Sequence, residues 1–340
     1  MEDKAKGYDK YQSMLDQAQF YQNDRSHEQD PHGVAPETFS EFSAPSLVSS
    51  FDMEDMNDAL PRDLEDSEMT DSGTEAISRM IQLKNASLAE EMLGHLAYKS
   101  DAVQKVADEL FQLHTNLSKN QKETLHMIKG TDKYTSFTDI KLKATCRLLI
   151  NAREGQNNSV ATTSYLAATI MNKQAYKEDT STFIIGWFCA HNAGLRIQRD
   201  GSDPVECLSR GMMASLLCQL VHWMVYREID CDLSFISGPD WDDIKQFELV
   251  VLSKAFTRLV AQLPEGSQII CFIDEIRHYE KKDTDDAYRA IKELVALTNR
   301  VGPLKGPRYF KLLLTCNDKA LGIKNIFEGK SQSMEFPQEA

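Results

Sequence analysis

The sequence predicts an α/β fold: a doubly wound, mainly parallel β-sheet, preceded by a helical segment and an acidic tail. Three observations carry this. The run Ile269 to Ile276 (Ile-Ile-Cys-Phe-Ile-Asp-Glu-Ile) sets five apolar residues ahead of two adjacent carboxylates, with no polar alternation. A strand of that composition is covered on both faces, the habit of a parallel sheet. From Tyr134 onward, short apolar runs alternate with stretches of three- and four-residue periodicity, the order of strand–helix–strand units. The charge is also segregated: residues 1–75 hold 19 acidic and 5 basic residues, which is the whole net charge of −14, while the rest of the chain is balanced.

The acidic stretch, 1–75, is rich in Asp, Glu, Ser, Gln and Pro, and it cannot bury enough apolar area to offset the entropy of ordering it. It is expected to be disordered. Phe39-Ser-Glu-Phe42 and Leu47 to Met53 mix acidic and bulky residues, as a short linear motif does; an inert solubilising tail has the same composition. No basic patch of the kind nucleic-acid binding requires is present. No stretch nears the roughly 18 apolar residues of a membrane span, and the first residues show no apolar signal-peptide core. The seven cysteines are scattered through apolar segments without a C-x-x-C pair, which points to reduced thiols in a cytoplasmic or nuclear protein. The eight histidines form no metal-ligand spacing.

Residues 76–131 form the helical segment. Ile77, Met80, Ile81, Leu88, Met92, Leu93 and Leu96 recur at helical spacing; Asp101 opens a second helix and Ser118 a third, ending near Gly130. Residues 132–340 form the α/β domain. Strands are expected at 146–151, 183–190, 269–276 and 310–317, with a short fifth at 333–336. Helices are expected at 164–171, from Pro204 through Met224, at 244–262 and at 284–299, with a loop at 231–243. Glu265-Gly266 supplies the turn before the acidic strand.

An apolar strand ending in Asp-Glu is the layout of a Walker B strand, where one carboxylate serves Mg²⁺ and the next polarises water. Its partner is a phosphate loop, G-x-x-x-x-G-K-[ST], after the first strand. The stretch in that place runs from Ala152 to Ser159 and contains Gly155. In this register Ala152 and Asn157 replace the two glycines, Asn158 replaces the lysine, and Ser159 keeps the Mg²⁺-binding hydroxyl. Asparagine tolerates positive φ, so the loop can keep its shape, but Asn158 cannot supply the cation. The one true Gly-Lys-Ser, at Gly329, lacks a good preceding strand and a following helix. His278 and Tyr279, just past the carboxylates, are placed to line the site but fit a solvated strand-end loop better, and His191 reads as structural.

The sequence of these features resembles the NACHT-like P-loop NTPase domain of large fungal STAND proteins, including nephrocystin-like N-terminal modules. The resemblance spans roughly residues 135–336. It rests on the degenerate loop, the Phe-Ile-Ile-Gly-Trp-Phe-Cys strand, the helix Asp203 to Leu220 with its Leu-Leu-x-Gln-Leu, the Asp274-Glu275 strand, and Leu-Leu-Leu-Thr-Cys-Asn. It implies Mg-ATP or Mg-GTP as cofactor, with Asp274 and Ser159 on the metal, Glu275 as the water-activating residue, and Asn317 at the sensor position in place of a basic residue. It also implies that the chain acts through other proteins, self-association included, rather than through nucleic acid or membrane. Missing lysine and missing sensor arginine point to a pseudo-enzyme. Two alternatives fit the same residues: an active switch in which Arg153 reaches the phosphates, and a scaffold with no ligand.

Overall fold

The computed structural model describes residues 71–152, 162–173, 178–191, 196–197, 205–206, 208–299, 308–318, 320, 322–327 and 332–335. The tail, with its Phe39–Phe42 and Leu47–Met53 motifs, and the loop positions Arg153, Gly155, Asn157, Asn158 and Ser159 lie outside them. So do Pro204 and Gly329.

Four helices come first: α1 (Asp71–His95), α2 (Ala102–Gln112), α3 (Lys119–Lys129) and α4 (Asp132–Thr138). Ser118 starts α3 because its hydroxyl accepts from the Gln121 N–H, while the Gln121 side chain accepts from the Ser118 N–H; two orphan donors are satisfied at once. The alternating part follows as β1 (Cys146–Asn151), α5 (Thr162–Met171), β2 (Thr182–Phe188), a small antiparallel pair β3 (Arg196–Ile197) and β4 (Val205–Glu206), then α6 (Leu208–Tyr226). After it come α7 (Gly238–Lys245), α8 (Leu249–Gln262), β5 (Gln268–Asp274), α9 (Arg277–Lys282), α10 (Thr284–Asn299), β6 (Tyr309–Cys316), α11 (Lys324–Phe327) and β7 (Gln332–Glu335).

The main sheet has the order β2-β5-β6-β1-β7, and every neighbouring pair is parallel. The chain steps from β1 across to the far strand β2, then returns through β5 and β6 and passes β1 to reach β7. Parallel crossovers are right-handed, so reversing the direction of travel puts the β1–β2 helix on one face and the later helices on the other. The packing follows: α5 lies against α2 and α3, whereas α6 packs with α8 and α10. Both faces are thereby covered, which is why β2 and β5 are buried at every residue.

β2 is an edge strand, and α6 seals it. Gln219 and Trp223 on α6, and Arg227 just past its end, stand four residues apart and reach the outward-facing carbonyls of Gly186 (2.9 Å), Ile184 (3.2 Å) and Thr182 (2.9 Å). Gln219 also accepts from the Gly186 N–H at 3.0 Å, so its amide takes the place of a neighbouring strand. Gly186 has to be glycine: a Cβ there would stand 2.2 Å from the ring of Phe272 on β5.

Three local differences from expectation have physical causes. The 231–243 loop gives way at Gly238 to α7, because Ser237 and Asp240 form a capping box with proline in the first turn. The 244–262 helix is split, since Phe247 adopts φ +58° and ends α7 before α8 begins. The expected solvated loop after the acidic strand is the short helix α9, and Tyr279 is buried in it, its hydroxyl accepting from the Trp187 indole at 2.7 Å. Lys311, mid-strand in β6, is buried and donates to the Phe137 and Asp139 carbonyls at 3.1 and 2.6 Å, which ties the end of α4 to the sheet. Among the described residues no helix is long and apolar enough to cross a membrane. The six described cysteines are free.

Candidate functional site

In an open parallel sheet, ligands settle outside the carboxyl ends of the strands, where the direction of the connections reverses. Here that point lies between β1, whose connection runs to one face, and β6, whose connection runs to the other. The residues at this edge are Asn151, the last of β1, with Ala152 after it; Cys316, the last of β6, with Asn317; and Asp274, the last of β5, with Glu275. β1 and β6 are paired up to Asn151 and Cys316, and the Ala152 N–H extends the ladder by donating to the Cys316 carbonyl at 2.9 Å. That commitment leaves Ala152 no amide to offer a phosphate.

Asp274 is fully buried. The Ser164 hydroxyl donates to one carboxylate oxygen at 2.6 Å, and the Thr315 hydroxyl donates to the other. Burial outweighs these bonds and pushes its pKa up to about 6, even though the two hydroxyls and the Glu275 backbone N–H favour the charged form. Glu275 sits at φ +56°, a left-handed conformation that costs a non-glycine residue about 1 kcal/mol or more. Two contacts hold it there: the Thr163 hydroxyl donates to its carboxylate at 2.8 Å, and its N–H donates to the Thr315 hydroxyl at 3.3 Å. The first turn of α5 is thus clasped to the end of β5 by two hydroxyl–carboxylate bonds.

Around this clasp, the Asn151 side-chain carbonyl accepts from the Ala320 N–H at 3.3 Å, while its amide nitrogen is buried with no partner among the described residues. The same holds for the side-chain oxygen of Asn317. Arg277, two residues past Glu275, is paired with Asp318 at 2.6 Å. Among the described residues no three His, Cys, Asp or Glu side chains converge as a metal cluster.

No family model and no curated protein matches the chain.

Of the site residues anticipated from sequence, Asp274, Glu275, Ala152 and Asn317 therefore share one edge of one sheet. Two of the three hydroxyls that engage the carboxylates belong to Thr163 and Ser164 on α5, neither of which was singled out from sequence as a site residue. Their signal was the Thr162-Thr163-Ser164 run at the mouth of an apolar helix, a composition that reads as ordinary helix capping. Thr315 was noticed only as part of a strand end; its role as donor to Asp274 and acceptor from Glu275 depends on the register of β5 against β6.

The oxygen-only set of Ser164, Thr163, Asp274 and Glu275 suits a hard cation such as Mg²⁺ better than a thiol- or imidazole-seeking metal. With one fully buried carboxylate held above its ordinary pKa, the arrangement would gain from a cation.

Proposed function

We propose that the chain is a pseudo-NTPase of the NACHT/STAND type, a signalling or scaffold domain that acts through protein contacts and hydrolyses nucleotide weakly or not at all. The observation that carries this is the clasp of α5 hydroxyls on the Asp274-Glu275 pair, at the reversal point of a doubly wound sheet, in a stretch with no lysine between Lys143 and Lys173. The conclusion does not depend on how the loop is aligned. If the hydroxyl following the motif lysine is Ser159, the lysine position holds Asn158; if it is Thr163, the position holds Thr162.

Mg²⁺, if bound with a nucleotide, would sit with Asp274 and an α5 hydroxyl, and it would supply the screening of phosphate charge that the chain otherwise takes from a lysine. The chain's own residues orient: Thr163 and Thr315 keep Glu275 in place, and the Ser164 and Thr315 hydroxyls fix the Asp274 carboxylate. Loss of one charge-stabilising contact costs about 3 kcal/mol in phosphoryl transfer, or roughly two to three decades in rate. Contact with other proteins is supported by Met80, Ile81 and Leu83 on α1, each more than half exposed.

Titrating the full chain with Mg-ATP and Mg-GTP, followed by a phosphate-release assay, tests the reading. Binding weaker than about 0.1 mM with turnover at background is expected. Turnover near 1 per second, within the ordinary range for such enzymes, would overturn it in favour of the active switch.

A further inference from the structure

A cavity of about 370 Å³ opens on the same side of the molecule as the end of β2, in a crease between the α1–α2 connection and α6. Trp187, Ser215 and Phe247, all buried, line it. The α6 wall carries only small side chains, since Gly211, Ala214, Ser215 and Cys218 recur at helical spacing, and this is what leaves the space. The mouth holds Tyr98, Lys99 and His191. Two of the four left-handed non-glycine residues among those described, Ala97 (φ +47°) and Phe247 (φ +58°), also line it. Each ends a helix and turns the chain around the opening, and such strain is tolerated where the surroundings over-determine it.

The volume is at the small end of ligand pockets, enough for one fused aromatic ring and a short substituent. Aromatic walls favour a flat ring. The Lys99 ammonium makes no ion pair among the described residues, and Asp101, two residues further on, is paired with Lys105 at 2.6 Å. His191, at the mouth, has its pKa lowered by partial desolvation against the opposing charge of Glu109, and its ring can offer one hydrogen bond. We propose that this cavity binds a free small aromatic acid, its ring over Trp187 and its carboxylate at Lys99. The inference stands apart from the nucleotide reading, because no residue of the carboxylate clasp lines the cavity.

Indole-3-acetate is the probe, with uncharged indole as control, titrated into the full chain and followed by the indole N–H resonances of Trp187, Trp223 and Trp241. Trp187's signal is identified by Trp223→Phe and Trp241→Phe variants, and it is well placed because its N–H is fixed on Tyr279. Saturable movement of that signal alone is expected, with a Kd on the order of 1 mM for a ligand of this size. Lys99→Ala, at an exposed position, should weaken the probe about threefold to fivefold, and Ala214→Leu should fill the cavity and weaken it at least about tenfold. Should Ala214→Leu not fold, the Trp187 shift and Lys99→Ala decide the matter alone. No saturable shift at Trp187 up to about 10 mM overturns the site. Indole binding as tightly as indole-3-acetate, or no effect of Lys99→Ala, overturns the acid.

Discussion

Replacing Gln219 with methionine isolates the seal on the sheet edge. Methionine keeps the length and nearly the volume of glutamine, so packing is largely preserved. What disappears is the pair of hydrogen bonds to Gly186, at 3.0 Å from its N–H and 2.9 Å to its carbonyl. Both backbone groups stay buried beneath α6, and each orphaned group costs about 1–3 kcal/mol. The Ser215 hydroxyl also loses the donor it now accepts from at 3.1 Å. The expected loss is therefore about 2–6 kcal/mol, a large fraction of the roughly 5–15 kcal/mol that holds a typical domain. Urea unfolding should show the midpoint falling with little change in slope. Gln219→Glu supplies an internal check: it keeps an acceptor for the Gly186 N–H but loses the donor, and it should recover part of its stability at acid pH, where the protonated carboxyl can donate again. If Gln219→Met lies within about 0.5 kcal/mol of wild type, the glutamine is not acting as a surrogate strand.

Other outcomes follow from the same geometry. In metal-free buffer, Asp274→Asn should stabilise the protein near neutral pH. The folded pKa of Asp274 is raised to about 6 from 3.8, so wild type bears no penalty below pH 4, loses stability as pH climbs through 6, and has lost about 2–3 kcal/mol above it; identical pH profiles for the two proteins would contradict this. Asn158→Lys and Thr162→Lys set the two loop registers against each other: the one that restores a phosphate-facing cation should tighten Mg-ATP by about ten- to a hundredfold in calorimetry, and if neither does, the stretch is not a decayed phosphate loop. Gly186→Ala should cost at least about 3 kcal/mol in chemical denaturation or prevent soluble expression, because Phe272's ring stands 2.2 Å from the new Cβ; a mild effect would mean that the ring moves freely.

The strand ends were legible because their composition is extreme. β1 and α10 fall on the expected residues, since apolar runs and their terminators are local properties of the chain, whereas β5 stops at Asp274, two residues before the expected 276, because Glu275 turns to φ +56°. Capping at Ser118 was equally local. The break at Phe247 was not, for a phenylalanine at positive φ carries no sequence mark and survives there only because its side chain is buried. The same is true of Glu275, whose conformation is imposed by hydroxyls from α5 and β6.

The sequence by itself determined that a lysine-free stretch follows the first strand, that two carboxylates close the third long one, and that alternating elements must make a largely parallel sheet. The tertiary structure decided which hydroxyls meet those carboxylates. It also showed that Gln219, in the motif that looked like a family signature, caps an edge strand, and that a cavity stands between α6 and the helices before the sheet. The division has a physical reason. Periodicity and composition act over a few residues and survive in one dimension, whereas strand order, register and the crossing of α6 over β2 join residues more than 30 positions apart and are set only when the whole sheet is paired.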